Sequence, residues 1–383
     1  MIANRPIEIR PANRGYIGIE TAVPMRASFS SMDKPDWILR HEAEGWLLSM
    51  AVGLHAVVRI LPMFSGQTNI IKAAVRNDAG DLVTGEQHVE RVEDISHPYV
   101  RAAMIFNKLD KLQVDLQGSV SARMGLGGSS AMMTALQMAC WHWKHNGRVP
   151  LQPRDLVRIV SYLELGPASN GFSLEGSHGV QDVVGCLAIN LTGCAIVAMP
   201  IQPAVYTAAG VSWTWTEPQF DEAVYFKSEA LSWVDQNLMM FSIMPRQSDA
   251  SERLAVMTPA KGDVIETAEL TKAAAYALSD CSFEQFSGTV RAAWELKLRM
   301  DPNIIPKQAQ AFYNQAKAIG VRFIRITGAG HGGYFVIFCD DPDKRRRLIE
   351  LSLQDPHVWY NPDATIAESP AGVMHFKPPR TMI

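Results

Sequence analysis

Met124-Gly125-Leu126-Gly127-Gly128-Ser129-Ser130-Ala131 joins two different kinds of chain. Upstream, Val114, Leu116, Val120 and their neighbours read as a strand running into this stretch. Downstream, from Ala131 to about Trp143, apolar residues recur at helical spacing, with Ala131, Ala135, Met138 and Ala139 on one face. A glycine-rich turn opening a helix sets free backbone N–H groups around a concave space at the positive end of the helix dipole, which suits a polyphosphate. The paired hydroxyls of Ser129 and Ser130 stand where they cap the helix or reach a metal ion. A tight turn with a serine N-cap is the plainer alternative.

The chain around this turn is 383 residues long, enough to bury a large core and to fold as two lobes. Apolar residues at 47% and charged residues at 20% are those of an ordinary globular protein. A net charge of -3 argues against nucleic acid as a partner, and the short basic run Lys344-Arg345-Arg346-Arg347 reads as a solvated helix face. The five cysteines, Cys140, Cys186, Cys194, Cys281 and Cys339, lack C-x-x-C spacing and read as buried free thiols rather than disulfides or a zinc site. Residues 1–10 have no apolar signal core and no apolar run reaches membrane-span length, so no membrane is expected and a cytoplasmic location follows by default.

Strands are expected at Ile7–Arg10, Met25–Ser31, Val57–Leu61, Asn69–Val75 and Leu112–Val120, with helices at His41–Leu54 and Tyr99–Asp110. After the glycine turn come helices over Ala131–Lys144 and Pro153–Leu165, then a glycine- and serine-rich stretch, Gly166–Gly179. Tyr225 and Met239–Met244 bracket a helix and a strand. Helices are expected at Asp263–Leu278, Phe283–Met300 and Lys307–Ile319, and strands at Phe323–Thr327 and Tyr334–Phe338. A closing helix over Pro342–Leu353 has Asp341 as N-cap and proline at its first position. Strands and helices grouped in this way favour α+β layers. Prolines and glycine accumulate at Pro200, Pro203, Gly210 and Pro218, which places a domain break near residues 200–222.

A second cluster, Thr327-Gly328-Ala329-Gly330-His331-Gly332-Gly333, contains a formal G-x-G-x-x-G match. A dinucleotide fingerprint needs a helix after it, whereas Tyr334-Phe335-Val336-Ile337-Phe338 is aromatic and β-branched. Four glycines exceed what a hairpin needs, which points to close backbone approach to a ligand or another loop. A Walker-type loop is excluded because Gly128 is followed by Ser129-Ser130-Ala131 and not by Lys-Ser/Thr. The H-R-D and D-F-G segments of protein kinases are absent.

Two glycine clusters in this order resemble the pattern of the GHMP kinase superfamily, which includes galactokinase, homoserine kinase, mevalonate kinase and phosphomevalonate kinase. Residues 125–131 resemble its central G-L-G-S-S-A motif, and Thr327–Gly333 its C-terminal motif. Gly179-Val180-Gln181-Asp182 looks like the segment in which the family's sugar kinases place a catalytic aspartate. Trp294-Glu295-Leu296-Lys297-Leu298-Arg299-Met300, followed by Asp301-Pro302, is similar to the heptose 7-phosphate kinase branch. The N-terminal motif is eroded: Pro11-Ala12-Asn13-Arg14-Gly15-Tyr16-Ile17-Gly18 keeps a proline, an aliphatic and a glycine, with Ile19-Glu20 in place of the acidic-histidine pair.

The resemblance implies an α+β, two-lobed GHMP kinase fold, with a ribosomal-protein-S5-like lobe over residues 1–205 and a ferredoxin-like lobe over 206–383. It implies ATP and Mg2+ as cofactors. Phosphoryl transfer needs a phosphate cradle, a divalent metal and a group that orients or deprotonates the attacking hydroxyl. By resemblance, Gly125, Leu126, Gly127, Gly128, Ser129 and Ser130 bind the nucleotide. Asp182 is the catalytic residue that accepts the hydroxyl proton or holds the hydroxyl in line for attack, and Arg14 neutralises charge on the transferring phosphoryl group or binds an acidic substrate. Ser130 and Glu164 hold the metal, with Ser161 and Glu175 as alternatives to Glu164. Glu20, Gly328, Gly330 and Gly332 bind the substrate. Lys297 and Arg299 are expected on a solvated helix face, and His331 outside the catalytic set. The implied reaction is transfer of the γ-phosphoryl group to a sugar or sugar phosphate, with the anomeric hydroxyl of a heptose 7-phosphate as one candidate. The alternatives are a mevalonate-, homoserine- or threonine-like alcohol, and a non-catalytic nucleotide- or sugar-binding member. A second copy of the chain is a candidate partner.

Overall fold

The computed structural model describes residues 18–62, 68–76, 82–120, 123–165, 179–208, 211–245 and 258–376. Its spine is a pair of long antiparallel strands, β1 (Gly18–Met32) and β2 (Gly45–Pro62). On the far edge of β1 lies β12 (Gly372–Phe376); beyond β2 come β5 (Leu112–Gly118), β3 (Asn69–Arg76) and β4 (Leu82–Val89). Among the described residues, only the β3–β5 pairing in this sheet is parallel. The start of β2 pairs instead with β6 (Ile196–Ala208), and β7 (Val211–Pro218) extends β6. A second, all-antiparallel sheet has the order β11 (Val358–Tyr360), β8 (Leu238–Ile243), β10 (Tyr334–Phe338), β9 (Phe323–Ile326).

The helices are α1 (Pro35–His41), α2 (Pro98–Asn107), α3 (Gly128–His145), α4 (Pro153–Leu165), α5 (Gln181–Cys186) and α6 (Ala188–Thr192). In the second half follow α7 (Ser228–Asn237), α8 (Lys261–Ser279), α9 (Phe283–Met300), α10 (Gln310–Ile319) and α11 (Pro342–Gln354). The Asp341 carboxylate accepts from the N–H groups of Asp343 at 2.9 Å and Lys344 at 3.1 Å, so the expected cap of α11 forms. None of the described helices is long and apolar enough to cross a membrane.

The helix expected over His41–Leu54 is instead α1's last residue, a turn and the first half of β2. Gly45–Val52 is buried at every position, because both faces of the strand are covered by helices. The Lys272 ammonium of α8 lies over the Trp46 ring, while Ser49, on the opposite face, meets Gly185 of α5. A strand packed on both sides shows no alternation, and its continuous apolar run imitates a buried helix. The proline-marked region near 200–222 is not a linker either. It forms the β6–β7 hairpin, and the 205/206 division falls inside β6. The strand expected at Ile7–Arg10 and most of Gly166–Gly179 lie outside the described residues.

Two hydrophobic clusters fill the interior. The smaller packs Phe241, Phe312, Phe335 and Leu348 between the second sheet and α10 and α11. The larger runs through the first sheet and its helices and reaches the other face of the second sheet. Phe29 of β1 meets Phe286 of α9 edge-on at 5.6 Å and Phe338 of β10 at 5.7 Å, and all three are fully buried. Each such ring contributes about 2–3 kcal/mol by leaving water. This aromatic joint fixes β1 against the second sheet and thereby sets the spacing of the two glycine clusters.

Candidate active site

The two glycine clusters, far apart in sequence, touch backbone to backbone. Gly125 and Gly328 both adopt positive φ, 71° and 72°. A Cβ on Gly125 would lie 2.8 Å from the Thr327 carbonyl oxygen, and one on Gly328 would lie 2.9 Å from the Gly125 oxygen. Only glycine combines this conformation with this approach. Gly330 and Gly332 sit further round the same turn, whose other end closes through the Thr327 N–H on the Tyr334 oxygen at 3.0 Å. The surplus of glycines therefore serves loop-on-loop packing, the second of the two uses read from the sequence.

At the start of α3, Gly127 takes the cap position in the left-handed conformation, with no side-chain cap. Its oxygen accepts from the Ala131 N–H at 2.8 Å, so the first-turn N–H groups of Gly128, Ser129 and Ser130 have no partner within the helix. Ser129 is exposed. Ser130 is fully buried, and its hydroxyl lies 2.9 and 2.8 Å from the two oxygens of Glu164 on α4, itself 2% exposed. Neither serine is a helix cap. One turn before Glu164, the buried Ser161 hydroxyl has no hydrogen-bond partner. A hydroxyl and a carboxylate side by side are the hard oxygen donors that suit Mg2+, which keeps several waters and phosphate oxygens as its other ligands. Glu175 lies outside the described residues.

Asp182 stands in the first turn of α5, and a cation faces it. That cation is Arg26 of β1: its Nε donates to Asp182 Oδ1 at 2.9 Å, and a second guanidinium nitrogen pairs with the same oxygen. Its third nitrogen donates to the Gly125 carbonyl at 2.6 Å. Arg26 is buried, whereas Asp182 keeps about a fifth of its side chain exposed. Arg26 therefore ties the first glycine loop to the catalytic candidate. Arg14 lies outside the described residues, and the position opposite Asp182 belongs to Arg26. Glu20 does not join the group; it pairs with Arg59 on β2 at 2.5 Å.

Two further residues, Asp33 and Ser31, meet Gln181, the neighbour of Asp182, without having been read from the sequence as site residues. Asp33, just beyond β1, accepts from the Gln181 N–H at 3.1 Å. The Gln181 side-chain oxygen accepts from the Ser31 hydroxyl at 2.7 Å, while its amide nitrogen is buried without a partner. The sequence signal was present: Pro24-Met25-Arg26, followed by Asp33, puts one arginine into an otherwise uncharged stretch, Thr21–Met32.

On α9 the expectation for Arg299 holds: it is exposed and pairs with Glu266 at 3.5 Å. For Lys297 it fails. Its ammonium turns inward and donates to the Gly328 carbonyl at 2.6 Å. Helical amphipathicity did not reveal this because the last turn of α9 runs under the glycine turn instead of into solvent. His331, at φ 61°, is anchored through its Nε2 to Asp301 at 2.5 Å and through its N–H to the Ile304 oxygen at 2.7 Å. That contact ties the turn to the end of α9.

Burial, aided by Arg325 and Arg26, pulls the Lys297 ammonium down to about 7. The unfolded chain restores an ordinary lysine. Between the folded and unfolded values the unfolded state therefore binds more protons, and stability rises with pH across that window. Relative to Lys297→Met, the wild type gains thermal stability as pH climbs from about 7 towards 10. A difference in Tm that stays constant with pH refutes this.

No protein-family model matches the sequence. A bifunctional fucokinase/GDP-fucose pyrophosphorylase of Arabidopsis thaliana is 22% identical over 361 residues, covering 88% of this chain and 32% of that protein. The chain thus spans about a third of the length of the curated relative it matches. A heptose 1-phosphate kinase structure from Bacteriodes thetaiotaomicron superposes with a TM-score of 0.62 at 14% identity, covering 94% of this chain and 99% of that one. The chain has the GHMP kinase fold. A Lactococcus lactis galactokinase gives 0.58 at 14% identity, over 94% and 95% of the two chains. A Methanococcus jannaschii mevalonate kinase gives 0.59 at 13%, over 91% and 98%. Identities this low carry the GHMP kinase fold across, and the chemistry rests on the side chains described above.

Proposed function

We propose that this protein is an ATP- and Mg2+-dependent kinase that phosphorylates a hydroxyl of a sugar or sugar phosphate. The observation that carries the reading is the Arg26–Asp182 pair set against Gly125, with Ser130 and Glu164 beyond it. In this reading the nucleotide phosphates lie over the first-turn N–H groups of α3. Ser130 and Glu164 hold the metal, which would neutralise charge on the phosphates when bound. The exposed part of Asp182 accepts the proton of the attacking hydroxyl, and Arg26 keeps that carboxylate in one orientation. Asp33 and Gln181, beside Asp182, offer an acceptor and a donor to the hydroxyls of a polyol.

The test is ATP-dependent ADP release over a panel of sugars, sugar phosphates and hydroxy or amino acids. Turnover of a sugar or sugar phosphate is expected. Turnover confined to the non-sugar alcohols overturns the acceptor class, and ATP that neither binds nor turns over overturns the whole reading. For the metal pair, Glu164→Gln raises the Mg2+ concentration for half-maximal activity by about 10- to 100-fold. A magnesium titration identical to wild type removes Glu164 from the metal site.

A further inference from the structure

The charges around the cleft are unevenly paired. On the described elements facing it, β1, α5, α9, β9 and the Thr327–Gly333 turn, the cations are Arg26, Lys297, Arg325 and, when protonated, His331. The carboxylates are Asp33, Asp182 and Asp301. Asp182 is taken by Arg26, and Asp301 by His331. Asp33 accepts from the backbone of Gln181. Among the described residues, Lys297 has the Gly328 carbonyl as its polar partner, and Arg325 only a 3.5 Å bond to the Ile326 oxygen. Neither has a carboxylate of the described residues within ion-pairing distance.

Arg325 is 3% exposed, and its place in the fold sets its direction. Alternation along β9 puts Phe323, Arg325 and the following Thr327 on one face. Phe323 packs into the aromatic joint, and the Thr327 hydroxyl accepts the Ser28 N–H of β1 at 2.9 Å. Arg325 therefore points towards β1, with its guanidinium 5.8 Å from the Trp294 ring of α9, one turn before Lys297. Two cations in a desolvated space, one with no strong acceptor, are costly unless an anion joins them.

We propose that Lys297 and Arg325 form an anion subsite, and that the acceptor carries a phosphate ester that fills it. This rests on the kinase reading above and narrows its acceptor class. The subsite lies on the Gly328 side of Gly125, electrostatically next to Asp33 and Asp301. Ser130 and Glu164 pair with each other between α3 and α4, and Glu164 is not among the charges that act on Lys297. The ester therefore belongs to the acceptor and not to the nucleotide. Lys297, partly exposed, contacts the ester; Arg325 adds its charge from behind.

The experiment compares free sugars with their phosphate esters as acceptors, for wild type, Lys297→Met and Lys297→Arg. The ester is expected to be the better acceptor. Lys297→Met raises its KM by about 10- to 100-fold, with kcat and the KM for ATP little changed, and Lys297→Arg restores most of the loss. A neutral sugar turned over at least as efficiently as its ester overturns the proposal, as does a Lys297→Met effect confined to ATP. Should no acceptor turn over, the kinase reading has failed on its own, and calorimetric binding of glucose 6-phosphate against glucose decides the subsite. Preference for the ester that is lost in Lys297→Met supports the subsite, and equal binding of the two overturns it.

Discussion

Asp182→Asn lowers kcat by about a thousandfold, the scale of a lost general base in a positioned site, and leaves ATP binding intact. The substitution keeps the shape of the side chain but removes the charge that balances Arg26. Because Arg26 is buried and is left with neutral acceptors, the amide oxygen at position 182, the Gly125 carbonyl and a 3.5 Å contact with the Thr327 hydroxyl, stability falls by about 2–3 kcal/mol as well. Single-turnover ADP formation and ATP calorimetry on the same preparation separate the two effects. Turnover at the wild-type rate removes Asp182 from the chemistry. Loss of ATP binding in a folded variant makes it a nucleotide-site residue instead.

Gly333→Ala has the largest expected effect on stability. Gly333 has φ 101°, and a Cβ there would fall on the Met124 carbonyl, a backbone atom fixed by its own loop. The Gly333 N–H and C=O are also committed, to Met244 at 3.0 Å and Ile243 at 2.7 Å, so neither loop yields without breaking its ladder. The cost is about 3 kcal/mol or more, and the nucleotide loop moves with it. Gly193→Ala is the comparison: φ is 78° there too, but nothing lies within 4 Å of the added methyl. It pays only the backbone term, about 1–2 kcal/mol. Equal thermal shifts in the two variants would mean that the loops do not constrain one another.

The parts of the site legible in the sequence are those written in local composition. The Gly125–Gly128 turn, the second glycine cluster and the helices carrying Ser130 and Glu164 follow from short patterns, while Asp182 was singled out by the family resemblance alone. Arg26 did not, because its meaning depends on β1 passing between two loops that the sequence holds far apart. An eroded motif at Pro11–Glu20 drew attention away from a proline and an arginine inside an apolar strand. Lys297 was misread for a related reason: periodicity says which face of α9 is polar, not whether a glycine turn lies across it. The same limit explains β2, whose burial on both faces erased the alternation that marks a strand. Conversely, Phe323–Thr327 and Tyr334–Phe338 were readable because aromatic and β-branched residues bounded by glycines admit few alternatives.

The strand that presents Arg26 has its outer edge covered by β12, with Gly18 opposite Phe376 and Ala22 opposite Gly372. During synthesis β1 therefore leaves the ribosome almost a full chain length before the strand that shields it. Until then the Gly18–Ala22 edge of β1 stands open, and an unpaired strand edge is prone to pairing with another molecule. The first sheet closes only after the second has been made. The two halves thus mature together rather than in turn, and a nascent chain stalled before Gly372 leaves open the start of the strand that carries Arg26.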